Sequence, residues 1–443
     1  PLYSLHKALT AVVEADRLTA LGRPTVPVFW MATEDDDWAE VSSTTSIDRG
    51  DGLRRLTLGQ EPCSCHYVGD VRLEPEAIAD LLAQLTEALP GGEHTDWLLA
   101  LLAAQSEAVS TFGLWFARVW QALLGGTGLL LLDPTQPALR ALAVPFAQRA
   151  LADPLAATRL AGEAGVALDA LGYKPATHRA ADLCAFYLVE DQCRRRLTFD
   201  GTHLNAASGL RLTPEEMAER VAAEPTLMST GVLLRPVLQD YLLPTAGFVV
   251  GPGEIAYAAQ VAPVYDHLGI ARPHLLPRRS LTLVPPKAAR TLEQYRLRPC
   301  DLQGPRETVI SRVVRDSEGA ETTALVEAAR EAAAAALAPL VEHATGIDAT
   351  LAKPAEGVVN RLSSELEKLE KSMQRALRQR AEVHIRRLSA AHAWLAPDGR
   401  SQERVLGLLP FLALAGPTLV ERVRQAVAST PWDQHGVVQL GHE

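Results

Sequence analysis

Helical and apolar segments alternate along the first two-thirds of the chain, and this alternation predicts an α/β fold. Residues 3–24 carry leucine and valine at helical spacing and end at a glycine and a proline, as helices do. The run VPVFWM, residues 26–31, is apolar throughout, which is typical of a strand buried in a parallel sheet. Further apolar strands follow helical segments at residues 126–134, 247–250 and 274–276. We therefore predict a Rossmann-like parallel sheet core that is interrupted by insertions.

From about residue 286 onward the pattern is helical, and its spacing predicts a coiled-coil arm. Apolar side chains on the second of two long helices step by three and four residues, at Val359, Leu362, Leu366, Leu369 and Met373. Beyond this point the step is four, so that the apolar seam drifts around the helix. The two long helices, joined near Gly346, indicate an antiparallel hairpin, and a final helix is expected over residues 402–427.

At ~150 residues per domain, a chain of 443 residues corresponds to two to four domains. The patterns above divide it into seven consecutive parts. The expected parts are the Rossmann core at 1–40, an insertion at 41–125, core again at 126–170, a second insertion at 171–225, core at 226–285, the helical coiled-coil arm at 286–396, and a C-terminal helix and tail at 397–443.

Composition is that of a protein that handles small molecules. Hydrophobic residues make up 47% and charged residues 22%, and the formal net charge is −10. A negative chain is a poor candidate for binding nucleic acid, and no apolar run reaches the ~18 residues of a membrane helix. Five cysteines at irregular spacing argue against a disulfide framework. We therefore expect a cytoplasmic protein in a reducing environment.

The segment PCSCH, residues 62–66, carries two thiols and an imidazole. A structural zinc site needs four ligands, which usually come in paired clusters. No second cluster is evident in the sequence, so we predict no metal site.

Four consecutive acids follow the first apolar strand directly. Glu34, Asp35, Asp36 and Asp37 repel one another, so their proximity needs a physical reason. They could lie in a solvated loop or start a helix, where each acid is favoured by ~0.3–1 kcal/mol. They could instead form a site for a cation, either a substrate ammonium group or Mg²⁺.

A glycine turn, GPGE, follows a second strand of the predicted sheet. Because ligands bind beyond the carboxyl ends of parallel strands, we expect the acidic loop and this turn to open into one cleft. The N–H groups of Gly251 and Gly253 could meet a phosphate or carboxylate, or the turn could only connect two elements. On the helix that follows, Glu254, Tyr257 and Gln260 lie on or beside one face.

Basic residues near these loops are candidates for binding anions. His6 and Lys7 lie in the first turn of their helix, where a bound phosphate would explain the lysine; the alternative is a lysine that points to water. Arg278 and Arg279 follow the last sheet strand and could complete an anion pocket.

Arg235 and Gln239 are four residues apart and face one way on their predicted helix. Arginine suits two-point binding of a carboxylate or phosphate. The alternative is a structural pair, between Arg235 and Asp240 or a similar partner.

Five motifs occur in order along the chain, namely PLYSLHKA, VPVFWMATEDDDWAE, LLRPVLQDYLLPTAGFVVGPGEIAYAAQ, PRRSLTL and PDGRSQER. In this combination the sequence resembles the BshC family, the cysteine-adding ligases of bacillithiol biosynthesis. The resemblance runs from the first residue to the C-terminal helix. It implies a Rossmann core like that of nucleotidyltransferases and class I aminoacyl-tRNA synthetases, connecting-peptide insertions, and a coiled-coil arm used for homodimerisation.

The resemblance also implies a reaction, in which the carboxyl group of L-cysteine is joined to the amine of glucosaminyl-malate. ATP is the expected co-substrate, and Mg²⁺ is an optional ion. The expected catalytic residues, which would hold the ammonium group and take its proton, are Glu34, Asp35 and Asp37. The expected nucleotide-binding residues are His6, Lys7, Gly251 and Gly253. The expected substrate-binding residues are Arg235, Gln239, Asp240, Glu254, Tyr257, Gln260, Arg278 and Arg279.

Two features depart from the family pattern. Family members usually carry a further N-terminal stretch with a Gly-rich loop, so the first sheet strand and part of the nucleotide site are expected to be absent from this chain. The family's acidic motif typically reads Glu-Asp-His-Asp, whereas Asp36 takes the place of the histidine here, which leaves any acid/base role of that position open. The alternative functions are a nucleotidyltransferase-like enzyme acting on another amine and acid, and a catalytically silent coiled-coil scaffold.

Overall fold

The structure, a computed structural model, describes residues 1–107, 109–314, 320–380 and 382–441. The chain forms two units. The first consists of Pro1–Arg49, Arg54–Leu283 and Leu406–Val438, and the second of Val284–Val405 with Gly50–Leu53 and the last residues of the chain. No helix in the described part of the chain has the length and apolar character of a membrane span.

The described α-helices are α1 (Tyr3–Ala20), α2 (Trp38–Val41), α3 (Pro75–Ala88), α4 (Glu93–Glu107), α5 (Phe112–Leu124), α6 (Pro137–Ala152), α7 (Ala156–Ala170), α8 (Pro214–Ala223), α9 (Arg235–Leu242), α10 (Pro252–Leu268), α11 (Pro286–Tyr295), α12 (Arg306–Val314), α13 (Ala320–Ile347), α14 (Ala352–Arg380), α15 (Glu382–Leu395), α16 (Gln402–Val405), α17 (Leu409–Ala415) and α18 (Thr418–Ser429). The described strands are β1 (Val28–Trp30), β2 (Ser43–Ile47), β3 (Leu53–Thr57), β4 (Leu130–Leu132), β5 (Leu183–Glu190), β6 (Cys193–Phe199), β7 (Leu204–Ala206), β8 (Arg211–Leu212), β9 (Met228–Thr230), β10 (Gly247–Val250), β11 (His274–Pro277), β12 (Leu281–Val284) and β13 (Gly436–Gln439).

Two parallel strand pairs form the Rossmann-like core of the first unit. β1 pairs with β4, with Phe29 opposite Leu131, and β10 pairs with β11, with Phe248 opposite Leu275. Helix α1 packs against both β1 and β10, and its apolar face, including Leu9, is buried. The predicted α/β class with parallel strands is confirmed. β1 is half-buried along its length, in contrast to the fully buried strand that its apolar run predicts.

A five-stranded sheet with antiparallel neighbours, in the order β8-β7-β6-β5-β9, lies in the second predicted insertion and extends to β9. Its central hairpin turns at Asp191 and Gln192, which both adopt positive φ (52° and 61°) as a two-residue hairpin turn requires. Phe186 and Leu197 of this sheet are buried in one core with Phe146 of α6. The predicted strand pair over this segment is confirmed.

The predicted hairpin arm is confirmed in the second unit. Helices α13 and α14 run antiparallel and contact each other, and the Gln374 side chain donates to Thr323 Oγ1 at 3.3 Å near the open end of the hairpin. The predicted seam is divided between two faces of α14. Val359 and Leu366 are half-buried. A neighbouring stripe is exposed, at Val358 (46%), Leu362 (41%), Leu369 (53%) and Met373 (36%).

The predicted continuous helix over residues 402–427 is wrong. The segment forms three shorter helices, α16, α17 and α18. Gly407 approaches Thr44 so closely that a Cβ would lie 2.1 Å from the threonine hydroxyl oxygen. Gly416 adopts a φ of +61°, and a Cβ there would lie 2.6 Å from His94 Nδ1. Close approach and left-handed backbone at these two glycines therefore interrupt the helix.

Candidate active site

The acidic loop begins where β1 ends, and hydrogen bonds fix its course. The N–H groups of Val68 and Gly69 donate to the carbonyl oxygens of Asp35 (2.7 Å) and Thr33 (2.9 Å). Gly69 is required for this approach, because a Cβ there would lie 2.5 Å from Thr33 Cβ. The Thr33 hydroxyl donates to Asp133 Oδ1 at 2.5 Å. Because Asp133 follows β4, the carboxyl ends of the two paired strands meet at this loop.

Glu34, the first of the four acids, points into the protein and is fully buried. Its Oε2 accepts hydrogen bonds from Arg140 Nη2 (2.7 Å) and Ser229 Oγ (3.0 Å). Its other oxygen lies 3.1 Å from Arg235 Nε. The opposite charges compensate the burial of this carboxylate, which is costly for an unpaired ion. Both oxygens thus contact protein cations, which leaves Glu34 poorly placed to take a proton from a substrate.

Asp35 forms a two-point ion pair with Arg235, with Nη1–Oδ2 at 3.0 Å and Nη2–Oδ1 at 2.5 Å. Arg194 Nη1 lies 3.2 Å from Asp35 Oδ1 and 3.3 Å from Asp36 Oδ1. Burial raises the pKa of Asp35, but the hydrogen bonds and positive charge of Arg235 and Arg194 outweigh it, so the pKa lies below its ordinary value. Asp35 is therefore ionised at neutral pH, and 37% of its side chain stays exposed.

Asp37, the last of the four acids, is exposed and caps helix α2. Its Oδ1 accepts a hydrogen bond from the Glu40 N–H at 3.1 Å. The sequence allowed a solvated loop, a helix start or a cation site for the four acids; at Asp37 the structure shows a helix start.

Two arginines that sequence reasoning missed provide much of the counter-charge. Arg140 on α6 also donates to the Met228 carbonyl at 2.8 Å, and Arg194 on β6 donates to the Thr230 carbonyl at 2.6 Å. The Arg194 guanidinium lies 3.8 Å from the ring centroid of Tyr187. In the sequence, these two arginines are marked only by being charged residues within segments that pack into the core. With Arg235, these arginines offset the repulsion among the acids, so a bound ammonium or Mg²⁺, one of the alternatives that the sequence leaves open, is not needed to explain it.

The glycine turn after β10 holds a carboxylate of its own. Glu254 Oε2 accepts a hydrogen bond from the Gly251 N–H at 2.6 Å, and Glu254 Oε1 accepts one from Lys7 Nζ at 2.6 Å. Arg278 lies against Gly251, since a Cβ there would meet Arg278 Nη1 at 2.4 Å. Donors suited to a phosphate or carboxylate therefore converge here, and Glu254 engages two of them.

A cleft of about 1270 Å³ extends along α1 between β1 and β10. Its polar lining includes Lys7, Arg235, Gln239, Glu254 and Tyr257, which were all predicted from the sequence. Its apolar lining includes Phe29, Trp30, Phe116 and Trp120. Burial raises the pKa of Tyr257 to about 12, with Glu254 adding to the shift and Arg235 opposing it. Because Arg235 also holds Glu34 and Asp35, it connects the acidic loop to the same cleft as the glycine turn.

Two family models cover nearly the whole chain. The BshC N-terminal Rossmann-like domain matches residues 1–279, and the BshC C-terminal coiled-coil domain matches residues 281–440. The chain belongs to the BshC family. The family, the Rossmann-like core and the coiled-coil arm predicted from the sequence are confirmed.

Curated relatives agree with this assignment. A protein of Koribacter versatilis is 32% identical over 99% of this chain and 81% of its own length. One of Salinibacter ruber is 31% identical over 99% of the chain and 80% of its own length. One of Thermus thermophilus is 32% identical over 100% of the chain and 85% of its own length. Each is named "Putative cysteine ligase BshC".

Several residues carried over from the BshC resemblance do not line the cleft in the described part of the chain. His6 is fully buried. Gln260 is also fully buried, and its Oε1 accepts hydrogen bonds from the N–H groups of Ala176 (2.8 Å) and Thr177 (2.9 Å). Gln260 therefore fixes a neighbouring loop. At Gly253 an added Cβ would meet no heavy atom within 4 Å, so packing does not require this glycine.

Arg235 does form a structural ion pair, as one alternative predicted, but its partner is not Asp240. Arg235 pairs with Glu34 and Asp35, and Asp240 Oδ2 instead accepts a hydrogen bond from the Tyr265 hydroxyl at 2.5 Å. Burial raises the pKa of Asp240, and the hydrogen bond from Tyr265 opposes this shift.

Arg278 and Arg279 are directed to different surroundings. Arg278 lies beside the glycine turn, with its guanidinium 5.4 Å from the ring centroid of Tyr3. Arg279 is buried against α1, with Nη2 3.5 Å from Glu14 Oε1, and its guanidinium lies 3.1 Å from the ring centroid of Trp432. Burial lowers the pKa of Arg279, and the charge of Glu14 opposes this shift. The two arginines thus do not form the joint anion pocket that we predicted.

The acidic loop does not fit a Mg²⁺ site. Mg²⁺ binds through one or two carboxylates, with waters and substrate phosphates completing an octahedron. Here Glu34 and Asp35 face arginines, and Asp37 caps a helix.

A disulfide is present, although the number and irregular spacing of the cysteines argued against a disulfide framework. Cys65 and Cys193 are joined as a disulfide across 128 residues of sequence. Cys63 Sγ lies 3.5 Å from Cys65 Sγ. The sequence shows no second ligand cluster near PCSCH, but the fold brings one further ligand-type side chain to it. The Sγ atom of Cys193, on β6, lies within 4.8 Å of the ligand atoms of Cys63, Cys65 and His66.

Proposed function

We propose that this BshC family member is the cytoplasmic ligase that joins the carboxyl group of L-cysteine to the amine of glucosaminyl-malate to form bacillithiol, with ATP-dependent activation of the carboxyl group. Family membership over both domains supports a cysteine ligase. The observation that carries the proposal is the cleft lined by Lys7, Arg235, Glu254 and Tyr257. Arg235 links this cleft to the acidic loop through its ion pairs with Glu34 and Asp35.

The pair of Arg235 and Asp35 suits a substrate that carries both an amine and carboxylates. Asp35 is ionised and partly exposed, so it attracts an ammonium group. Its lowered pKa makes it a weak proton acceptor, so we assign it to holding the amine and not to deprotonating it. The exposed edge of Arg235, with 20% of its side chain accessible, offers a partner for a malate carboxylate.

The nucleotide phosphates are assigned to Lys7 and the Gly251 N–H. Both donors now engage Glu254, which stands where an anion would bind. When a phosphate binds Lys7, the ion pair between Lys7 and Glu254 is broken. Glu254 then lines the cleft as a carboxylate without its lysine partner. Proton removal from the amine of glucosaminyl-malate is therefore assigned to Glu254 once the nucleotide is bound.

The arm is assigned to homodimerisation. Val358, Leu362, Leu369 and Met373 form an exposed apolar stripe on α14. Exposed apolar side chains in a regular stripe are characteristic of helices that pair with another helix. The proposed partner is the same stripe of a second copy.

The experiment is a reconstitution with glucosaminyl-malate, L-cysteine and ATP, followed by mass spectrometry for bacillithiol. Formation of the product that depends on all three substrates is expected. Cysteine-dependent exchange of pyrophosphate into ATP without the amine would identify an adenylate, whereas release of ADP and phosphate would identify an acyl phosphate. The control is Lys371→Ala, which removes an exposed lysine paired with Glu367 on the arm.

Two results would contradict the proposal. Turnover of ATP with another amine and acid, but not with these substrates, would favour the nucleotidyltransferase-like alternative. Absence of nucleotide binding and of any product, in a folded dimeric protein, would favour the scaffold.

A further inference from the structure

A second cluster of ligand-type side chains lies outside the cleft. Cys63, Cys65 and His66 come from the loop between β3 and α3, and Cys193 begins β6. One ligand atom from each residue lies within 4.8 Å of all the others. We propose that in the reduced protein these four side chains bind one Zn²⁺ as a structural site.

The donor set and its spacing match zinc. Three thiolates and one imidazole form one of the usual tetrahedral zinc sites, with Zn–S at about 2.3 Å and Zn–N at about 2.0–2.1 Å. Ligand atoms at those radii in a tetrahedron lie roughly 3.5–3.8 Å apart. The 3.5 Å between Cys63 Sγ and Cys65 Sγ is close to the roughly 3.8 Å expected for two sulfur ligands at this radius. Thiolates also favour zinc over Mg²⁺ and Ca²⁺, which prefer oxygen ligands.

Backbone contacts bring the ligands together without help from the sulfur atoms. His66 and Cys193 face each other as an antiparallel β-bridge. The Arg194 N–H donates to the Cys65 carbonyl at 2.7 Å, and the His66 N–H donates to the Cys63 carbonyl at 3.1 Å. Cys193 is buried whereas Cys63 is exposed, which gives a metal ion a path from solvent.

The disulfide and the zinc site exclude each other, because both use the sulfur atoms of Cys65 and Cys193. Breaking the bond between Cys65 and Cys193 consumes two electrons, which a thiol or phosphine reductant supplies, and two protons, which come from the reducing thiols or, with a phosphine, from water; it yields two thiols. Binding of Zn²⁺ by these two thiols, by Cys63 and by neutral His66 then releases three protons. Four protein ligands leave no open position, so the site is structural and not catalytic.

The site would fix the position of an arginine at the acidic loop. Arg194 follows Cys193 directly and contacts Asp35 and Asp36 through its guanidinium. Metal bonds that hold Cys193 against the loop of Cys65 therefore hold Arg194 in place as a positioning residue. This inference does not depend on the proposed ligase activity, because its primary readout is metal content.

The test is metal analysis of protein purified and reduced under anaerobic conditions, then reconstituted with ZnCl₂ and freed of unbound metal. We expect one zinc per chain. Substitution with Co²⁺ should give the visible ligand-field absorption of a tetrahedral thiolate complex. Cys63→Ser and Cys193→Ser should each lose stoichiometric zinc and change this spectrum. Cys300→Ser, which alters an exposed cysteine outside the cluster, should retain both.

A variant that keeps four ligands separates loss of metal from loss of fold. His66→Cys should retain zinc and give a cobalt spectrum shifted toward four thiolates, whereas His66→Ala should bind more weakly. Reduced wild-type protein without zinc after reconstitution would overturn the proposal. Equal zinc content in wild type, Cys63→Ser and Cys193→Ser would do the same, as would a disulfide that persists under reductant and excludes the metal.

Discussion

Arg235 and Asp35 meet through both guanidinium Nη atoms and both carboxylate oxygens, at 3.0 Å and 2.5 Å. Neither side chain is fully enclosed, since 20% of Arg235 and 37% of Asp35 remain exposed. Each charge can therefore meet a substrate group of opposite sign while the pair persists. Glu34, on the buried side of Arg235, keeps the guanidinium in this orientation.

Asp35→Asn is expected to lower ligase turnover strongly and stability little. The amide keeps the shape of the side chain but cannot attract an ammonium group, and a misplaced amine costs roughly 100-fold in rate. Partly exposed ion pairs contribute about 0–1 kcal/mol to the free energy of unfolding. Bacillithiol formation and urea unfolding measure the two effects. Asp37→Ala, which removes only the cap of α2, should cost about 1 kcal/mol and keep activity.

The contrary outcome for Asp35 is a loss of several kcal/mol in the free energy of unfolding with turnover preserved. That result would place the residue among the structural ion pairs and remove it from the substrate site.

Glu34→Gln is expected to destabilise the fold by about 3–5 kcal/mol, because it leaves the charges of Arg140 and Arg235 less than fully compensated in a buried site. The matched control is Glu87→Gln at the exposed pair with Arg54, where the cost should be far smaller because water screens both charges. Denaturant unfolding of both variants gives the comparison. Equal, small effects would mean that water reaches Glu34 and that the pair is not truly enclosed.

The stability that Asp35 contributes should depend on pH only in the acid range. Its folded pKa lies below the ordinary value of 3.8, so the contribution is fully present above that value and is lost as the pH falls through the folded pKa. The difference in unfolding free energy between wild type and Asp35→Asn should be constant from about pH 5 to 7 and shrink below about pH 4. A difference that already changes between pH 5 and 7 would contradict this assignment.

The sequence predicts local features of this protein well and distant partnerships poorly. β10 was predicted at its observed bounds because an apolar run between glycines marks a strand. Arg140 and Arg194 were missed because they reach the acidic loop across 106 and 159 residues. Cys193 was missed as a companion of Cys65 for the same reason, across 128 residues. No spacing rule relates side chains that only tertiary packing brings together.

Lys7→Ala is expected to weaken binding of ATP by about 10- to 100-fold, since a hydrogen bond to a charged group contributes about 1.5–3 kcal/mol. Lys7→Arg should restore part of the affinity because it keeps the charge. Glu254→Gln should not weaken ATP binding, because it releases Lys7 from a competing carboxylate. Isothermal titration calorimetry with ATP tests all three variants, with Lys371→Ala as the exposed-lysine control.

If Lys7→Ala binds ATP as tightly as wild type, the nucleotide phosphates lie elsewhere. The pair of Lys7 and Glu254 would then be a structural contact between α1 and α10.

The exposed stripe on α14 predicts which substitutions separate the proposed dimer. The double variant Leu362→Asp with Leu369→Asp changes two side chains that are 41% and 53% exposed, and so should leave the hairpin of α13 and α14 intact. Two copies of the stripe would bury four such leucines, at about 1.5–3 kcal/mol each, so their replacement should yield monomers. Leu366→Asp with Leu369→Asp should also yield monomers, but Leu366 is half-buried in the hairpin, so helicity must be followed by circular dichroism.

Light scattering across a concentration series measures the mass in each case. Ser364→Asp introduces the same charge at an exposed position on the opposite side of α14, so it should leave the dimer unchanged. A wild-type protein that stays monomeric at all concentrations would refute the dimer itself. A dimer that survives Leu362→Asp with Leu369→Asp would show instead that the two copies meet through another surface, because two buried aspartates in each copy are incompatible with a tight apolar interface.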